Sequence, residues 1–122
     1  MDFEINSSVK GDILVVTFSG KSTKANANAM TRRYFEIVLG SGFKKVLADI
    51  RTLEGRLSTT ETYFLVRNLP VKQIPPGIKT AVLELQERHR FAEFLEATSA
   101  NAGVELKSFV SLDEALSWLR SQ

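Results

Sequence analysis

Three hydroxyls in a row, Ser58-Thr59-Thr60, follow a charged stretch that includes Asp49, Arg51 and Arg56. A hydroxyl so placed can accept a phosphate or cap a helix. Ser58-x-x-Glu61 has the spacing of a capping box, in which the hydroxyl accepts from the backbone N–H three residues on and the carboxylate reaches back. As a cap, Ser58 stabilises by about 1 kcal/mol. As a modification site, it would set a phosphate of about −1.5 to −2 charges on the positive end of the helix. Asp49, Arg51, Arg56, Ser58 and Thr59 are therefore the candidate partner-binding or switch residues.

A second group is basic. Arg88, His89 and Arg90 stand in sequence. Three cations at a helix start oppose its dipole, which points to an anion between them. Arg51 and Arg56 follow one strand and these three follow the next, so the set could form one cluster. Arg51, Arg88, His89 and Arg90 are the candidate anion site. The plainer alternative pairs these cations with Asp49, Glu54, Glu84 and Glu87. Exposed pairs of that kind contribute little.

Other chemistries lack a part. Gly20-Lys21-Ser22-Thr23 resembles the end of a phosphate-cradling loop, and Val46–Asp49 resembles the strand that supports its magnesium ion. The loop needs a glycine where the chain has Val15, and Val16–Ser19 reads as strand. His89 is the only histidine and there is no cysteine. That removes the usual zinc ligands and any disulfide. No serine sits in a nucleophile elbow, and Asp113 and Glu114 suit the first turn of a helix. With no nucleophile–base pair, no catalysis, metal or cofactor is expected.

The elements that must position these groups follow from periodicity. Phe3, Ile5, Ser7 and Val9 alternate with polar residues, as in an edge strand. Lys10-Gly11-Asp12 turns the chain into Ile13–Phe18, which is apolar on both faces. Asn26 or Thr23 caps a helix whose stripe is Ala27, Met30, Tyr34 and Ile37/Val38, and Gly40-Ser41-Gly42 stops it. A strand runs from Phe43 or Lys44 through Ile50. A helix runs from Ser58 to about Asn68, before Pro70. Pro75-Pro76-Gly77 belongs to a stiff connection into the strand Lys79–Leu85. Phe91, Phe94, Leu95 and Thr98 mark the next helix, with Gly103 as its stop. Val104–Val110 is a strand with one wetter face. Ser111-x-x-Glu114 is a second capping box and opens the last helix. Tyr63, Phe64 and Val66 give the helix after Ser58 more apolar surface than one stripe requires. The surplus suits a buried helix, a second copy of the chain, or a slot beneath.

The order ββαβαβαβα implies an α/β fold with right-handed crossovers. We expect a five-stranded, mainly parallel sheet in the order 1-2-3-4-5 with an antiparallel N-terminal edge strand. The length of 122 residues, with 43% hydrophobic and 25% charged, suits a single domain over 1–122. Sixteen basic and fourteen acidic side chains are interleaved, for a net charge of +2. That lacks the clustered basic face of a nucleic-acid binder. The start, MDFEINSSVKGD, does not read as a signal peptide, and the run Ile13–Val16 is too short to cross a bilayer. The lack of cysteine suits a reducing compartment.

The opening hairpin through Ser19-Gly20, the strand Lys45–Arg51 and the close Ala102-Gly103-Val104-Glu105-Leu106 with Phe109–Leu119 resemble the STAS-like family. That family includes bacterial anti-sigma-factor antagonists, the cytoplasmic tails of sulfate transporters and small STAS/Sec14-like bacterial proteins. The resemblance implies a β/α fold and a cytoplasmic, non-catalytic regulatory role with a protein partner. It also implies a phosphorylated serine at the helix start, for which Ser58 is the counterpart. The antagonists have a tight Asp-Ser-Ser-Gly-type turn, whereas eight residues separate Asp49 from Ser58 here.

Two functional expectations result. In the first, Arg51–Glu61 and the following helix engage a protein partner, with a homodimer as one arrangement. In the second, Arg51, Arg88, His89 and Arg90 hold a small anion or lipid headgroup while an acyl chain lies under the Tyr63–Leu69 helix. Both require residues 51–61 and 86–90 to share a rim.

Overall fold

The computed structural model describes residues 3–121. Strand β1 (Phe3–Lys10) and β2 (Ile13–Lys21) form an antiparallel hairpin in which Lys10 faces Ile13. Gly11 takes φ 63° at the tight connection, a region open to glycine at little cost. Then follow α1 (Lys24–Ser41), β3 (Lys45–Glu54), α2 (Thr59–Arg67), β4 (Lys79–Leu83), α3 (His89–Asn101), β5 (Leu106–Phe109) and α4 (Leu112–Arg120). Single 3-10 turns precede β4 and α3, at Val71–Gln73 and Gln86–Arg88. The sheet order is β1-β2-β3-β4-β5, and β2 to β5 are parallel, as the sequence predicts.

That order dictates the layering. Each parallel crossover is right-handed. Because the strands advance in one direction, every crossover helix falls on the same face. Helices α1, α2 and α3 therefore share one side of the sheet, and α4, which follows the last strand, covers the other.

The first face buries Leu14, Val16, Phe18, Val46, Ala48, Ile50 and Val82 against Met30 and Val38 of α1, with Phe91 and Leu95 of α3 alongside. The second buries Ile13, Leu47, Ala81 and Leu83 against Ala115, Leu116 and Leu119 of α4. Alternate residues of β2, β3 and β4 serve opposite faces, which is why these strands read as continuous apolar runs. Lys79 Nζ donates to the Trp118 and Ser121 carbonyls at 2.8 and 3.2 Å and lies 4.4 Å from the indole centroid. It closes the carboxyl end of α4.

Boundaries differ where long-range pairing decides them. β2 reaches Lys21 and β3 reaches Glu54, because the two continue together beyond the end of β4, with a register shift between Thr17 and Ser19. β4 stops at Leu83, and β5 is only Leu106–Phe109. Of the two caps proposed for α1, Thr23 is the one used.

Candidate functional site

Asp49 is the last residue of β3 paired with β4, Arg51 lies two residues further along the strand, Arg56, Ser58 and Thr59 follow its end, and Arg88, His89 and Arg90 lie past the end of β4. Because the strands are parallel, both segments meet the same rim. What happens there is mostly internal pairing. Arg51 donates through Nε and Nη2 to Asp49 at 3.0 and 2.9 Å, and its backbone N–H donates to the same carboxylate. The carboxylate pulls the Arg51 pKa above its usual value.

Arg56 turns inward. Nε and Nη2 hold the Glu84 carboxylate at 2.8 and 2.7 Å. Nη1 donates to the Leu53 and Gly55 carbonyls, and Nη2 also donates to Ile50. All five guanidinium N–H groups are engaged, with the side chains 6% and 0% exposed. Glu84 also accepts from the Leu85 N–H at 2.8 Å. This ion pair ties the loop after β3 to the end of β4. It leaves Arg56 no donor for a partner.

Ser58 caps α2 as its spacing predicts. Its hydroxyl accepts from Glu61 N–H at 3.1 Å, and the Glu61 carboxylate accepts from Ser58 N–H at 2.9 Å. Thr59 is the exposed first residue of α2. Arg88 and Arg90 are exposed. His89 Nδ1 lies 2.8 Å from the Gln86 carbonyl, so this nitrogen carries the proton. Nε2 faces Glu93 at 3.8 Å. His89 and Glu93 also border a shallow space of about 220 Å³ beside Ser108 and Glu114. Among the described residues, no group of three or more metal-ligating side chains could hold an ion. Also among them, no helix is long and apolar enough to cross a membrane.

The larger opening lies beneath α2. A chamber of about 420 Å³ is roofed by Leu65, Val66 and Leu69, walled by Met30 and Tyr34 of α1 and Phe91 and Leu95 of α3, and floored by Ala48, Thr80 and Val82. Its cause is local. The nine-residue α2 packs on its neighbour helices, while the strands below present small side chains such as Ala48 and Thr80. The exposed lining residues are Pro75, Pro76, Gly77, Gly103 and Glu105, so the mouth lies in the segments that lead into β4 and β5. That is the amino edge of the sheet, opposite the basic rim. None of Arg51, Arg88, His89 and Arg90 lines the chamber. The structure thus provides the slot under the helix but does not join it to those cations.

Sequence reasoning assigned Tyr34 to a buried stripe and passed over its chemistry. In the structure its ring packs on Phe18 at 5.5 Å between centroids and lines the chamber. Burial pushes the phenol up to about 12, with a weaker opposing hydrogen bond from Thr80. The available signal was a phenol on an otherwise apolar stripe, facing a strand that carries Thr80 amid apolar residues.

The solved structures share this architecture over nearly the whole chain. An anti-sigma factor antagonist from Mycobacterium paratuberculosis matches with a TM-score of 0.65 at 16% identity, covering 98% of this chain and 95% of that one. The fold is STAS-like. An uncharacterized protein of the DUF3478 family from Shewanella loihica PV-4, described as having a SpoIIAA-like fold, matches at 25% identity and a TM-score of 0.56, covering 96% and 93%. No family model matches the chain, and no curated protein matches it. The STAS-like resemblance read from the hairpin and the C-terminal block therefore holds at the level of fold.

Proposed function

We propose that this chain is a binding module rather than a catalyst, and that it holds a small apolar molecule beneath α2. The chamber carries this reading. Its 420 Å³ lies within the ~300–1,000 Å³ usual for ligand sites. At ~30 Å³ per water-sized group, it accommodates about fourteen such groups. Open at its mouth, it holds water against a mostly apolar lining, and a bound apolar molecule would replace that contact. The test is uptake of the neutral fluorophore N-phenylnaphthylamine by the wild type and by Ala48→Leu and Thr80→Leu, which fill the floor. Saturable uptake that both variants diminish supports the reading. No uptake, or equal uptake by all three, removes it.

A second reading, a regulatory module with a protein partner, is favoured by the outer side of α2. Tyr63 and Phe64 are 49% and 51% exposed there, their centroids 5.4 Å apart. One structural neighbour is described as an anti-sigma factor antagonist, a role that acts on another protein. A phosphate on Ser58 would meet the Glu61 carboxylate that already holds the Ser58 N–H. The added charge would leave α2 capped but disfavour docking of a partner on the neighbouring exposed Tyr63–Phe64 pair. The partner is a protein of the bacterial cytoplasm, or a second copy of the chain. Capture from the native host with wild type, Ser58→Asp and a Tyr63→Ser/Phe64→Ser double variant checks it. The wild type alone should retain the partner. Equal recovery with all three would discard the switch and the face together.

A further inference from the structure

We infer that the molecule in the chamber is an uncharged amphiphile whose hydroxyl or carbonyl end sits at Tyr34 and Thr80, with its chain running toward Leu53 and Leu57. This rests on the chamber reading and adds the chemistry of the ligand's polar end.

The lining decides the charge. Among the described residues it contains no lysine or arginine, and its one ionisable carboxylate, Glu105, stands exposed at the mouth. A carboxylate or phosphate head drawn inside would be desolvated with no cation to meet it. At the mouth it would be repelled by Glu105. The cations at the carboxyl rim belong to the opposite edge of the sheet. The remaining polar lining side chains are hydroxyls: Ser22, Thr31, Tyr34, Thr62, Thr80 and Ser99. Hydroxyls suit a neutral oxygen, because each can both donate and accept.

The placement decides the direction. Thr80 is the second residue of β4, directly inside the segment that forms the mouth. Tyr34 lines the same chamber, and both hydroxyls can donate to a neutral oxygen. Thr62 is already engaged, donating to the Ser58 carbonyl at 2.8 Å. Leu53 and Leu57 lie at the far end, beyond the last residues that β3 pairs with β4. An amphiphile entering tail first from the amino edge thus leaves its polar end beside Tyr34 and Thr80.

Displacement of N-phenylnaphthylamine by dodecanol and by dodecanoate near neutral pH tests this. Dodecanol should displace the fluorophore at about tenfold lower concentration than dodecanoate. Tyr34→Phe and Thr80→Val should each weaken dodecanol by about three- to tenfold, the worth of one hydrogen bond, once displacement is corrected for each variant's own affinity for the fluorophore. Circular dichroism confirms that both variants are folded. Dodecanoate binding as tightly as dodecanol, or dodecanol indifferent to both variants, overturns the inference while the chamber reading stands. A fluorophore that never enters the wild type overturns both.

Discussion

Arg56 is a charged side chain whose work is structural. With all five donors satisfied and Glu84 fully buried, the pair survives desolvation only as a unit. Arg56→Met should therefore destabilise the chain by about 3–5 kcal/mol in urea unfolding, because the Glu84 charge is left buried alone. Adding Glu84→Leu should recover much of that loss, and no recovery would show that the pair is not the source. Tyr34 makes a separate prediction. Its pKa is about 12 in the fold against 10.0 in the unfolded chain. The unfolded state thus loses its proton first, and the stability contribution, whole below pH 10, disappears as pH rises to 12. The expected fall is about 2–3 kcal/mol at 1.36 kcal/mol per pKa unit. Tyr34→Phe should lack that part of the alkaline loss, and identical pH curves would refute the assignment. At this scale the sequence was half legible. Glu84 was among the acids weighed as partners for the rim cations. Its burial was hidden, because it follows from a guanidinium 28 residues away.

The helix starts belong to the next scale. Ser58→Ala should cost about 1 kcal/mol in thermal or urea unfolding, whereas Ser58→Asp should hold most of the cap. A cost as large for Asp as for Ala would mean that the capping box contributes little. Such signals are local in sequence, so both serine caps were readable. Ser111 accepts from Glu114 N–H at 3.2 Å, but the Glu114 carboxylate does not return the bond as Glu61 does, so the expected second box is only a cap. Strand ends were less readable. Arg51-Thr52-Leu53-Glu54 carries no buried run, and it is strand only because Ser19-Gly20-Lys21 pairs with it. β5 lost Val104 and Glu105 for the opposite reason, since its one partner, β4, begins to pair with it only at Thr80 and Leu106. The surplus apolar surface of α2 was visible. It has two outlets, the chamber lining on one side and the exposed Tyr63–Phe64 pair on the other.

For the whole molecule, one topological fact governs the rest. A sequential parallel sheet puts three crossover helices on a single face, and the short middle helix bridges its neighbours above small floor residues. Alternation and element order revealed the sheet order. The chamber's mouth was not legible, because it depends on which lining residues solvent reaches at the amino edge. The most direct test is an NOE measurement on the protein saturated with dodecanol. Contacts from the dodecanol chain to the methyl groups of Val66, Val82 and Leu95, with none to Leu116 or Leu119 on the opposite face, are the result expected. Contacts confined to Leu116 and Leu119, or none to any of the five, would contradict a ligand chamber beneath α2.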